Sequence, residues 1–229
     1  MTIGASFAKT FALPIDGIEA GAAVETCYYT EYDGIDDAYT SSDASLRIAG
    51  AQTWAVELKF PSGQSDVYAG ILANNTGGTD GLALYYVPGP NNNKIRWESR
   101  GAGSNLVALT PFTENSLYNR IVGVYDGANL KMDLYNGTSW ASATIACALN
   151  TSTANFNIGK VNFVTDRFLN GSIKNIEIYN AAATTPQSWV FGDATSLGLL
   201  ESNLVLRNQD GTGGAGFTKS GDPQTSECP

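Results

Sequence analysis

The sequence predicts an all-β protein folded as an antiparallel two-sheet sandwich, and three observations predict it. Short segments alternate apolar and polar residues, Gln52 to Phe60 most clearly. Asp126-Gly127 and Asn136-Gly137 fall between such segments, and these are the residue pairs that tight hairpin turns require. Charged residues make up only 15% of the chain, so Gly, Ser, Thr and Asn supply its turns. At 229 residues the chain can bury a substantial core as one domain.

Residues 1–26 read as an irregular arm, with Phe7, Phe11, Leu13, Ile15 and Ile18 apolar but aperiodic. From Cys27 the period becomes two, with Tyr28, Thr30 and Tyr32 on one face. In QTWAVELKF, Trp54, Val56, Leu58 and Phe60 point inward and Thr53, Ala55, Glu57 and Lys59 outward, the pattern of a strand covering a core on one side. DVYAGILAN, GLALYYV and KIRWES continue as a meander, separated by NNTGGTDG and PGPNNN. Tyr118 to Tyr125 and Leu130 to Tyr135 flank the Asp126-Gly127 turn. TIACAL, NFNIGKV and SIKNIEIYN add strands, and Pro186 to Phe191 is the best helical candidate, with Thr185 as cap. NLVLRN is one further strand before a Gly-rich tail. The domain reading is an arm at 1–26, a sandwich at 27–184 and an extension at 185–229.

YDGIDDAYT at Tyr32 to Thr40 precedes the strand of Trp54; Val122, Val124, Tyr125, Asp126, Gly127 and Asn136-Gly137 follow; Ile158-Gly159 and Gly171 to Asn180 close the series. In content and order these resemble the laminin-G-like branch of the concanavalin A-like lectin and glucanase jelly rolls, over roughly Tyr28 to Thr184. A polar pair, often two histidines, usually stands in the family's central hairpin; here Asn119-Arg120 takes that place. The resemblance implies a concanavalin A-like jelly roll and leaves function open, because one fold hosts many functions.

Composition excludes several activities. The chain has no histidine, which removes the usual general base of hydrolases and the commonest zinc ligand. A net charge of -9 without a basic cluster disfavours nucleic acid. No apolar run is long enough to span a bilayer, and no secretory signal is read at the N-terminus. The paired carboxylates of the family's glucanases, Glu-x-Asp-x-x-Glu, do not occur, and Glu177 stands alone in its strand, so no catalytic residue is assigned. Asn-x-Ser/Thr tripeptides at Asn74, Asn136, Asn150 and Asn170 are expected by chance. Cys27, Cys147 and Cys228 show no metal spacing; a Cys27–Cys228 bridge is one reading, and buried free thiols are preferred.

Three groups of residues remain as site candidates. Asp33, Asp36 and Asp37 offer oxygen ligands for Ca2+, which several relatives hold near the sandwich edge, although turn formation and backbone capping account for them more simply. Tyr85, Tyr86, Trp97 and Arg100, with Asn74 and Asn75, could stack on and hydrogen-bond to a sugar, although alternating aromatics are more often core. Phe7, Phe11, Leu13 and Phe217 are assigned to assembly contacts. The expected function is a non-enzymatic virion protein, a capsid decoration or tail component of a phage. It would bind capsid or tail proteins and sister subunits through its arms and host glycans through its loops. A free bacterial carbohydrate-binding or adhesin module, at the cell surface or outside it, is the alternative.

Overall fold

The computed structural model describes residues 28–61, 68–76, 80–88, 94–99, 105–109, 118–162, 167–180, 182–184, 186–188, 198–200, 203–206 and 215–227. The strands follow in chain order: β1 (Tyr28–Asp33), β2 (Ala38–Ser41), β3 (Gln52–Lys59), β4 (Ala69–Ala73), β5 (Leu82–Val87), β6 (Lys94–Ser99), β7 (Asn105–Leu109), β8 (Asn119–Tyr125), β9 (Asn129–Tyr135), β10 (Trp140–Ala146), β11 (Phe156–Ile158), β12 (Asn170–Tyr179), β13 (Gly198–Leu200), β14 (Asn203–Leu206), β15 (Ala215–Gly216), β16 (Thr218–Ser220) and β17 (Gln224–Glu227). Among the described residues the only helical turns are short 3-10 turns at Ala44–Leu46 and Pro186–Ser188. No helix there is long and apolar enough to cross a membrane.

Two antiparallel sheets form the sandwich. The first runs β10-β9-β8-β3-β12-β1-β17, the second β16-β2-β11-β4-β5-β6-β7, and β13-β14-β15 make a small third sheet. Hairpin chemistry sets the β8–β9 register: Asp126 Oδ1 accepts the N–H groups of Ala128 (2.8 Å) and Asn129 (2.7 Å), and Gly127 takes a φ of 99° that an L side chain would resist.

The inward positions of both sheets fill one core. Trp54 meets Trp97 edge-on at 4.8 Å and Phe156 at 5.0 Å, all three rings buried. Gly123 lets this cluster close, since a Cβ there would lie 2.9 Å from the Trp97 ring. The outward positions depart from the one-sided pattern expected of β3: Thr53 and Ala55 are buried as well. Ala182 and Ala183 pack over Ala55, Val122 and Val124, and the Ala183 N–H bonds Thr53 Oγ1 at 2.9 Å.

The C-terminal segment, expected as a tail outside the sandwich, contributes an edge strand to each sheet. β16 pairs with β2, and β17 pairs with β1. Just before β16, Phe217 is buried against Phe156, with ring centroids 6.4 Å apart. Its assignment to an assembly contact is thereby corrected: the ring completes this chain's own core. Phe7, Phe11 and Leu13 lie outside the described residues.

Candidate functional site

Two surfaces gather functional side chains. The first is the edge where β1 turns into β2, under the crossing between β16 and β17. Asp33 begins the turn, its Oδ1 accepting the Ile35 N–H at 2.7 Å. Asp37 closes it, accepting the Asp33 N–H at 3.0 Å on Oδ2 and the Asp222 N–H at 2.6 Å on Oδ1. Capping, the simpler reading of these acids, therefore occurs. The crossing lies close on them: at Gly221, φ 70°, an added Cβ would come within 2.5 Å of Asp37 Oδ1 and 2.7 Å of Asp36 Oδ1.

Asp33 and Asp36 are exposed while Asp37 is buried, and one carboxylate oxygen of each lies within 4.8 Å of the others. Burial pushes the Asp37 carboxyl above its usual value of 3.8, the two backbone N–H bonds pull it down, and the charges of Asp33 and Asp36 push it up again; the net direction is up. Three oxygen donors so arranged suit a hard cation such as Ca2+. The acids open onto a cleft of about 640 Å3 that also takes in Glu31, Lys59, Asn170, Ser172, Asp222 and Gln224.

The second surface is the outer face of the first sheet. The pairings Trp140↔Tyr135, Tyr135↔Arg120, Arg120↔Glu57 and Glu57↔Asn175 place five side chains in one row across β10, β9, β8, β3 and β12. Four strand spacings of about 4.8 Å make this row roughly 19 Å long. Trp140 and Tyr135 are half-buried, with ring centroids 5.3 Å apart. Tyr135 donates its hydroxyl to the Gly137 carbonyl at 3.0 Å, which fixes the ring at the hairpin end. Glu57 accepts from Asn175 Nδ2 at 2.7 Å and meets Arg120 at 3.5 Å and Lys174 at 3.9 Å. The Arg120 side chain is 45% exposed. The row thus combines flat apolar rings with an ordered set of charged and amide groups, the combination that recognises a polyhydroxylated ring.

In the next row on the same face, Asp133, Val122, Ala55 and Glu177 are buried, and Ser142 is exposed at its end. Gln187 Nε2 donates to Asp133 Oδ1 (3.0 Å) and Ser142 Oγ (2.8 Å), which holds the Pro186–Ser188 turn beside this row, while Ala182 and Ala183 pack over Ala55 and Val122.

The sugar-contact residues expected from the sequence are not brought to a surface. Tyr86 and Trp97 are wholly buried because β5 and β6 turn Leu84, Tyr86, Ile95 and Trp97 together into the core. Asn75 is wholly buried, and Asn74 is buried with its amide bonded to the Leu82 N–H and the Leu46 carbonyl. Tyr85 faces the other way but is covered: it stacks on Tyr68, over which Arg167 lies at 4.0 Å, and donates to Glu98. Burial and the Glu98 bond push its hydroxyl up to about 12. Arg100 lies outside the described residues. The row was missed because its members come from five strands; the half-exposed aromatics flanking Asn136-Gly137 were its only local signal.

The family described as the concanavalin A-like lectin/glucanases superfamily matches residues 33–187. A search of curated protein sequences returns no match. Among solved structures, the chain is similar to the CBM40 of the Ruminococcus gnavus IT-sialidase, at 14% identity and a TM-score of 0.55 over 72% of this chain and 96% of that one. It is similar to a Bacteroides ovatus protein assigned to carbohydrate binding, at 16% identity and a TM-score of 0.57 over 89% of this chain and 60% of that one. Domains LG4-5 of the mouse laminin alpha1 chain match at 15% identity and a TM-score of 0.50 over 68% of this chain, which spans 41% of that one. The expected laminin-G-like order of motifs and the observed pair of antiparallel sheets thus meet in one assignment: the chain belongs to the concanavalin A-like lectin/glucanases superfamily.

Proposed function

We propose that the protein is a non-enzymatic carbohydrate-binding module whose sugar-contacting surface is the open row on the outer face of the first sheet. The observation that carries this is the Trp140–Tyr135 pair standing in line with Arg120, Glu57 and Asn175. The rings would stack on a sugar face while Arg120 and Asn175, held in place by the buried Glu57, bond its hydroxyls. Support comes from the CBM40 fold relative, which is seen with α2,3- and with α2,6-sialyllactose bound.

Asp33, Asp36 and Asp37 would hold a calcium ion, which would add positive charge to the β1–β2 turn. They support a structural role better than a hydrolytic one, because the buried Asp37 is committed to two backbone N–H groups. Binding of the full chain to a glycan array, followed by titration of the best oligosaccharide, tests the reading. Trp140→Ala and Arg120→Ala should each weaken binding at least tenfold in a folded protein. An array with no bound glycan, or two folded variants that bind as the parent does, would overturn it.

The finer reading places this module on a phage capsid or tail through residues 1–26, with Phe7, Phe11 and Leu13 as anchors, on the strength of the sequence resemblance. A large symmetric native mass that collapses to a folded monomer on deletion of 1–26 is the expected result. A monomer before deletion would favour a free bacterial module instead.

A further inference from the structure

The ladder between β3 and β12 slips by one residue at Lys174. Ile173 lies opposite Leu58 and Asn175 opposite Glu57, so Lys174 is the extra residue of a β-bulge. Strict alternation would send Asn175 into the core after an outward Lys174. The bulge keeps both outside: Ile173 and Ile176 are buried on either side, while Lys174 and Asn175 are half-buried. Glu57 thereby meets Asn175 Nδ2 at 2.7 Å, Lys174 Nζ at 3.9 Å and, from β8, Arg120 Nε at 3.5 Å. Two cations share one carboxylate. The Glu57 side chain is 9% exposed against 33% for Lys174 and 45% for Arg120, so what this end of the open row presents to water is positive. The adjoining row, Lys59, Ser172 and Glu31, adds one charge of each sign and leaves that excess standing.

We infer, on the reading of the open row as a sugar-binding surface, that its β8–β12 end is an anion subsite and that the glycan it takes is acidic, with a carboxylate or a sulfate ester held by Arg120 and Lys174. The two side chains suit the task differently. Arg120 turns its Nε to Glu57, and the remaining donors of its planar fork match the paired oxygens of a carboxylate or sulfate. Lys174 contributes a compact charge, and its ammonium also lies 5.8 Å from the Tyr118 ring centroid, which restricts where it can swing.

Strand spacing fixes where on the ligand the charge must sit. Trp140 is on β10, Arg120 two strands away on β8 and Lys174 four strands away on β12, or roughly 10 and 19 Å along the row. The sugar stacked on Trp140 and Tyr135 is therefore not the charged one. The anion belongs to a unit farther along, so the ligand is an acidic oligosaccharide lying across the strands. The chain as a whole carries a charge of -9, but at physiological ionic strength charges more than about 8 Å away are largely screened. The cations in contact with the ligand then decide the sign of the interaction.

The test uses the full chain on a glycan array that carries acidic oligosaccharides beside the same chains made neutral, their carboxylates converted to methyl esters or their sulfates removed. Acidic members should bind, and neutralising them should weaken binding about tenfold, the worth of a charge-assisted contact. Whichever treatment weakens binding tells carboxylate from sulfate, and this arm needs no variant to fold. Lys174→Met should lose a similar factor toward the acidic chain and nothing toward the neutral one, since Glu57 keeps Arg120 and Asn175; Lys174→Arg should restore the difference. Acidic and neutral forms bound alike, a bound set that is wholly neutral, or a folded Lys174→Met that binds the acidic chain as the parent does would overturn the anion subsite and leave the sugar-binding row standing. An array with no bound glycan would overturn the row and the subsite together.

Discussion

The two rows on the outer face of the first sheet share the same five strands and meet opposite fates. In the covered row, Ala55 and Val122 are small or branched and apolar, and Gln187 ties the overlying segment to Asp133 and Ser142. In the open row, one register step away, Trp140, Tyr135, Arg120, Glu57 and Asn175 satisfy one another laterally. What separates them is whether a row can be made dry. Asp133 is tolerated beneath the cover because Lys131 lies 3.2 Å away and Ser142 and Gln187 donate to it. In the open row Glu57 is buried, and the Arg120 side chain, 45% exposed, keeps its access to water and so remains available to a ligand.

The comparison can be broken most severely from the covered side. Val122→Asp should cost about 3–5 kcal/mol, because no partner stands ready for the new charge; urea unfolding would read it, and a loss under about 1 kcal/mol would mean that the cover lifts easily. Trp140→Ala on the open side should cost only about 0.5–1.5 kcal/mol of stability, the worth of a cross-strand aromatic pair, while removing sugar binding. The two variants thus separate a stability effect from a binding effect. Gln187→Ala should lie near 1 kcal/mol by thermal unfolding, since it removes two hydrogen bonds and leaves Lys131 and Ser142 on Asp133.

The smallest effects are electrostatic and have opposite signs at two turns. Hydrogen bonds from the Asn129 side chain and from the N–H groups of Ala128 and Asn129 hold the Asp126 carboxyl below its usual 3.8. Its stabilising contribution is therefore present above 3.8 and is lost as the pH falls through the lowered value. Asp37 is raised, so the folded chain holds its proton more tightly than the unfolded chain does. Its contribution declines as the pH rises from 3.8 through the raised value. NMR titration of the carboxyl carbons should show Asp126 midway below, and Asp37 midway above, an ordinary aspartate, and added calcium should lower the Asp37 midpoint. A calcium-insensitive Asp37 would remove the cation from the reading.

Much of the fold was legible in the chain. The alternation through Trp54 and the Asp-Gly and Asn-Gly turns located β3, β8 and β9, because side-chain period and turn conformation are local properties. The short β2 and the strand β7 were not read, and neither were β16 and β17, which take strand form against edges made more than 150 residues earlier. The sugar-contact assignment failed for a related reason. Tyr86 and Trp97 are aromatic in either setting, and only the facing of β5 against β6 tells core from surface.

The sequence by itself determined that this is a β-sandwich with Trp54 at its centre, since strand period, turn residues and the order of the motifs are written in neighbouring positions. The tertiary structure alone decided which outward row stays wet, that Phe217 belongs to the core, and that β17 lies beside β1. Each of these depends on which distant segment removes water from a surface, and burial is a property of the assembled chain.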